Sequence, residues 1–80
     1  MRMEKQSISD GNSIYRLFGS SDRMPLVTVE DIDGNPSITA VQSRNGLTVS
    51  EAADYAKALM MGVKIVEALK NGTVIPHFEE

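Results

Sequence analysis

Oxygen-bearing side chains crowd one turn of the chain, Asp31-Ile32-Asp33-Gly34-Asn35. The run resembles the start of a calcium loop, where oxygen ligands at alternate positions surround a hard cation. If Asp31 is taken as the first position, the sixth should be glycine and is Pro36. The twelfth should be an acid and is Gln42. We therefore interpret the run as a hairpin turn and predict neither a metal site nor a cofactor.

Other residue types that carry chemistry lack the partners that catalysis needs. His77 is the only histidine, and it follows a proline with no second histidine or cysteine nearby in sequence. No recognisable nucleophile motif surrounds Ser20, Ser21, Ser43 or Ser50. The sequence therefore predicts no catalytic residue and a protein that is not an enzyme.

Composition narrows the classes of partner. The 80 residues suit one domain, 1–80, with a formal charge of −3 and no cysteine. The eight lysines and arginines are scattered, whereas phosphate binding needs a concentrated basic face. No apolar segment follows the charged start, so we expect no signal peptide and no membrane anchor. A cytoplasmic protein that does not bind nucleic acid is the expectation.

The sequence predicts one long helix over residues 48–71, with capping residues at both ends. Thr48 suits the N-cap, and Glu51 stands three residues later as its capping-box partner. Gly72 suits the left-handed position that ends a helix. Asn71-Gly72-Thr73 also matches a glycosylation acceptor, but the helix end explains it better in a chain without a secretory signal.

Strand-like segments precede the helix at 13–18, 26–32 and 37–43, separated by polar or glycine-containing turns. In the last of them, alternation places Ile38, Ala40 and Gln42 on one face and Thr39 and Val41 on the other. Residues 1–12 read as a flexible arm and residues 73–80 as an extended tail or short edge strand. The predicted fold is α+β: a three-stranded antiparallel β-meander, with a possible fourth strand at the C-terminus, packed on one long helix.

The predicted helix has more apolar surface than one sheet covers. We expect its core face to consist of Ala52, Tyr55, Ala56, Leu59, Val63, Val66 and Leu69. We expect a second face to form a homodimer interface through Asp54, Ala58, Met61, Gly62, Ile65 and Leu69. The mid-helix Gly62 suggests close approach of another helix. Cover by the chain's own arm or tail is the alternative.

The favoured function is a small protein-binding module, acting as an inhibitor or accessory subunit of a larger assembly. Its basis is the apolar helix with its adaptable Met60-Met61 pair, and an acidic hairpin of Glu30, Asp31 and Asp33 as a candidate partner-binding surface. Small acidic proteins of this layout include phage-encoded inhibitors of host defence, an analogy without a shared motif.

Two other functions fit the same layout. A three-stranded sheet backed by a helix is also the topology of AP2-like and integrase-arm DNA-binding domains. Here, however, the free sheet face would carry Thr28, Glu30 and Thr39, a poor surface for phosphates. The other alternative is a structural component that only oligomerises, with the tail pairing against a neighbouring sheet edge.

Overall fold

The chain forms a four-stranded antiparallel sheet and one C-terminal helix, the α+β class that the sequence predicts. The computed structural model describes residues 1–19, 23–42 and 45–75. The strands follow one another in space in chain order and lead into the helix. The elements are β1 (Arg2–Ser7), β2 (Ser13–Phe18), β3 (Val27–Ile32), β4 (Asn35–Val41) and α1 (Val49–Asn71).

The fourth strand lies at the N-terminus, within the segment predicted to be a flexible arm. β1 pairs with β2 along its whole length, from Arg2 opposite Phe18 to Ser7 opposite Ser13. Met1 is 8% exposed and belongs to the hydrophobic core, so burial as well as backbone pairing holds this strand in place. Residues 73–75 are neither helix nor strand, and the rest of the predicted tail, 76–80, lies outside the described residues.

Two Asp-Gly pairs make the turns at one end of the sheet. Asp33 and Gly34 have φ values of 54° and 77°, and Ile32 pairs with Asn35 across them. This is the two-residue hairpin loop for which Asp-Gly is a favoured sequence, because both positions need positive φ. Asp10 and Gly11 take φ values of 62° and 77° between β1 and β2. Glycine has no β-carbon to oppose this backbone.

A β-bulge changes the predicted alternation in β4. Thr28 pairs with Ala40, but the next residue, Val29, pairs with Ile38. Thr39 is therefore an extra residue, and the side chains beyond it exchange faces. Ile38 and Val41 consequently lie on the same side of the sheet, whereas strict alternation predicted opposite sides.

The core lies between α1 and the sheet, mainly over β3 and β4. From the sheet it receives Tyr15, Leu17, Val27 and Val29, each at most 3% exposed. Their registers explain this common face, because Tyr15 pairs with Val29 and Leu17 with Val27.

Both ends of α1 carry the predicted caps. The Thr48 Oγ1 atom accepts a hydrogen bond from the Glu51 amide at 3.2 Å, and the Thr48 amide donates to Glu51 Oε1 at 3.0 Å. Gly72 ends the helix with φ 68°, and its N–H donates to the Ala68 carbonyl. Near the first turns, the Tyr55 hydroxyl donates a 2.6 Å hydrogen bond to the Gln42 carbonyl, which attaches the helix to the segment after β4.

The helix presents to the sheet the face that the sequence assigned to a second copy. Ala58 and Ile65 are fully buried, and Gly62 is also buried. A β-carbon on Gly62 would lie 3.1 Å from Val27 Cγ1 and 3.4 Å from Ile38 Cδ1. The close approach expected of another helix is therefore made by the sheet of the same chain, which covers the centre of the predicted interface. At its margins, Asp54, Met61 and Leu69 are half-buried.

Candidate protein-interaction surface

A continuous apolar stripe runs along the outward side of α1. Its positions alternate in steps of three and four residues, the spacing that keeps side chains on one side of a helix. We call this surface the outer stripe: Val49, Ala52, Ala56, Leu59, Val63 and Val66. It contains most of the residues that the sequence assigned to the core.

The outer stripe is open along most of its length. Val49 is 90% exposed, Val63 47% and Leu59 39%, while Ala52 and Ala56 are also exposed. Single exposed apolar residues are common on protein surfaces and need no explanation. A contiguous row on one helix is different, because an exposed apolar patch is a candidate interaction surface. Met60, 60% exposed beside the stripe, extends it with an adaptable side chain.

A groove of about 400 Å³ joins the C-terminal half of the outer stripe to β4. On the helix side, Val63 and Val66 line it, with Glu67 and Lys70 beside them. On the strand side it is bounded by Pro36, Ser37 and Ile38. Because β4 is an edge strand, this groove opens at the border of the sheet. The rim pairs one acidic with one basic residue, so the groove has no net charge.

The three acidic residues predicted to bind a partner do not form one surface. The Glu30 carboxylate accepts a 2.9 Å hydrogen bond from Thr39 Oγ1. Asp31 follows it in β3 and points to the opposite face of the sheet. Asp33 is in the turn, where its amide donates a 2.9 Å hydrogen bond to Asn12 Oδ1. Consequently, the hairpin does not present these carboxylates side by side.

Residues with catalytic or metal-binding side chains remain separate in the part of the chain that the structure describes. No three acidic or histidine side chains within 1–19, 23–42 and 45–75 lie close enough together to hold a metal ion. Ser50 is exposed in the first turn of α1. The other candidate nucleophiles, Ser20, Ser21 and Ser43, and the lone His77 lie outside the described residues.

On the sheet face away from α1, Arg2 and Arg16 each contact neighbouring side chains of the same face. The Arg2 guanidinium lies 4.4 Å from the Phe18 ring centroid, and its Nε atom is 3.4 Å from Glu4 Oε2. Arg16 donates a 2.8 Å hydrogen bond to Gln6 Oε1. Glu30 and Thr39 are bonded to each other on the same face. Among the described residues of this face, the two arginines are therefore accompanied by two glutamates, and the face has no net positive charge.

Comparison of the chain with protein-family models, curated proteins and solved structures gives no match. Among the described residues, no helix combines the length and hydrophobicity required to cross a bilayer. The outer stripe is therefore the feature on which a functional interpretation depends.

The sequence indicates both apolar faces of the helix but centres the core on the wrong one. Of the predicted core face, Tyr55, Val66 and Leu69 pack against the core. Each face has three-and-four spacing, so periodicity does not distinguish them. Side-chain size at the point of closest approach to the sheet is the signal that separates them. The buried face has Ala58 and Gly62 at its centre, which lets the helix backbone approach the sheet closely. The larger Leu59 and Val63 remain outside.

Proposed function

We propose that this chain is a small non-catalytic protein-binding module that acts as an inhibitor or accessory subunit of a larger assembly. The observation that carries this proposal is the exposure of the outer stripe, with Val49 90% and Val63 47% accessible on a helix whose other apolar face is already buried. Burial of apolar surface contributes about 25 cal/mol per Å², so covering this stripe favours association. The absence of cysteine is compatible with action in a reducing cytoplasm.

The shape of the surface favours a helical partner. A helix presents side chains in ridges that fit between those of another helix. The outer stripe provides such a row, and the neighbouring groove against β4 widens the contact at Val63 and Val66. A protein helix with its own apolar stripe would bury both rows together, which is the helix-in-groove mode of recognition.

Affinity purification with two matched variants tests the proposal. Val63→Glu places a carboxylate in the outer stripe, whereas Ser50→Glu places one at an exposed position of the same helix away from the stripe. We expect the wild type and Ser50→Glu to recover the same protein from a lysate of the source organism and Val63→Glu to lose it. Circular dichroism checks that both variants remain folded. Recovery that is equal with all three baits contradicts the proposal, and so does absent recovery from a chain that is monomeric at every concentration.

A further inference from the structure

We infer that the partner of the outer stripe is the same stripe of a second copy, with the two α1 helices antiparallel. This inference rests on the proposed use of the stripe as a protein-binding surface and names its occupant. The sequence placed the homodimer interface on the face of α1 that is now seen to be buried, and this inference places it on the exposed face instead. Two-fold association requires one surface to complement itself, which is the property that the stripe displays.

Side-chain size provides the first argument for self-complementarity. The N-terminal half of the stripe contains small residues, Ala52 and Ala56, and the C-terminal half contains the larger Leu59 and Val63. In an antiparallel pair, Ala56 meets the second copy's Leu59 and Ala52 meets its Val63. Each small residue then opposes a large one, so no two alanines face each other across the contact.

Parallel pairing lacks this fit. It would place Ala52 and Ala56 each against its own equivalent, while Leu59 and Val63 would meet their own larger equivalents. The large pairs would hold the helices apart and leave a gap between the alanines. Such unfilled space loses packing contacts, so the size pattern favours the antiparallel arrangement.

The extent of the stripe agrees with the same register. With Ala56 opposite Leu59, Val49 lies opposite Val66 at each end, so the six stripe residues of one copy meet all six of the other. The distance from Val49 to Val66 along the helix axis is about 26 Å at 1.5 Å per residue. A contact of this length is small for a stable interface, and we expect a dissociation constant of roughly micromolar magnitude.

The charged residues at each end of this contact offset each other. In this register, Glu67 of one copy lies beside Thr48, the N-cap of the other copy's helix. The N-terminus of a helix carries partial positive charge, so Glu67 is stabilising there, whereas Lys70, three residues further on, opposes it. Lys57 and Lys64 lie on the exposed flank of the helix, between the stripe and the buried face. The two lysines therefore do not oppose their equivalents across the contact.

The dependence of the molecular mass on protein concentration tests whether a second copy binds. Sedimentation equilibrium between about 5 and 500 μM brackets micromolar dissociation. We expect the wild type and Ser50→Glu to pass from the 8.7 kDa monomer to a dimer of twice that mass. Val63→Glu should remain monomeric across the series. A monomeric wild type at every concentration overturns the inference, and so does a dimer that Val63→Glu leaves intact.

Disulfide formation tests the orientation, because the natural chain has no cysteine. We expect a mixture of Val49→Cys and Val66→Cys to form a disulfide between the two variants on mild oxidation. Either variant alone should form no linked dimer, because its two thiols would lie about 26 Å apart along the helix axis. Efficient linkage of Val49→Cys to itself, or no linkage in the mixture, overturns the antiparallel arrangement.

The affinity purification separates failure of this inference from failure of the proposed function. A wild-type chain that is always monomeric, yet loses a recovered protein on Val63→Glu, overturns the second copy and supports protein binding by the stripe. Equal recovery with all baits, together with a monomeric wild type, overturns both.

Discussion

Gly62 lies so close to Val27 that a β-carbon on residue 62 would be 3.1 Å from Val27 Cγ1. The backbone of α1 is therefore in direct contact with β3. A glycine in a helix interior costs about 1 kcal/mol relative to alanine, and this close approach is the physical reason to keep it. The same contact determines which face of α1 is buried and, as a consequence, which apolar face is exposed.

Substitution of Gly62 tests the contact directly. Gly62→Leu forces a large side chain against Val27 and Ile38 and should lower the free energy of unfolding by about 3 kcal/mol. Ala53→Leu adds a similar group at an exposed position of the same helix and should change stability by less than about 0.5 kcal/mol. Urea denaturation measures both. A Gly62→Leu variant as stable as the wild type would mean that the glycine does not face the sheet.

The hydrogen bond from the Tyr55 hydroxyl to the Gln42 carbonyl should contribute measurably to stability. Tyr55→Phe removes only the hydroxyl and leaves the carbonyl without this donor, so we expect a loss of about 1 kcal/mol. The phenyl ring retains the packing of the helix, and circular dichroism should therefore be unchanged. An unaltered midpoint of urea denaturation would show that this 2.6 Å contact contributes nothing to the folded state.

The N-terminal cap of α1 should make its own contribution to the stability of the protein. Thr48→Ala removes the oxygen that accepts from the Glu51 amide, and it should destabilise the protein by about 1 kcal/mol. Ser50→Ala removes a hydroxyl two residues later, where the side chain is exposed and makes no cap. This control should be neutral or slightly stabilising in thermal denaturation, since alanine favours the helix. Equal losses for the two variants would contradict a specific role for the cap.

Deletion of the first eight residues distinguishes a strand from a flexible arm. The shortened chain loses the β1 pairing and the burial of Met1, and it leaves β2 as an unpaired edge. Burial of a methionine side chain alone contributes about 1.5–3 kcal/mol, so we expect at least this loss in the free energy of unfolding. If the truncated chain unfolded at the same urea concentration as the full chain, residues 1–8 would be dispensable for the fold.

Local sequence signals predicted the elements whose causes are local. The sequence predicts the helix over 48–71, and the structure has it at Val49–Asn71. The agreement is close because the capping box and the terminal glycine act within a few residues of the helix ends. The strand predicted over 13–18 is observed as Ser13–Phe18. The hairpin around Asp33 and Gly34 also formed as expected, since its turn requires positive φ at two adjacent positions.

Long-range pairing decided what these signals left open. β1 has little local tendency to form a strand, and it forms one against β2. The bulge at Thr39 depends on the register between β3 and β4, and it determines which side chains of β4 reach the core. Neither strand β1 nor the bulge at Thr39 is indicated by the local sequence around it.

By itself, the sequence determined that α1 has two apolar faces and where the helix begins and ends. Only the tertiary structure decided which face meets the sheet. Hydrophobic spacing is the same for both faces, whereas close packing depends on side-chain size at the point of contact. The side with Ala58 and Gly62 admits the sheet, so Leu59 and Val63 remain at the surface.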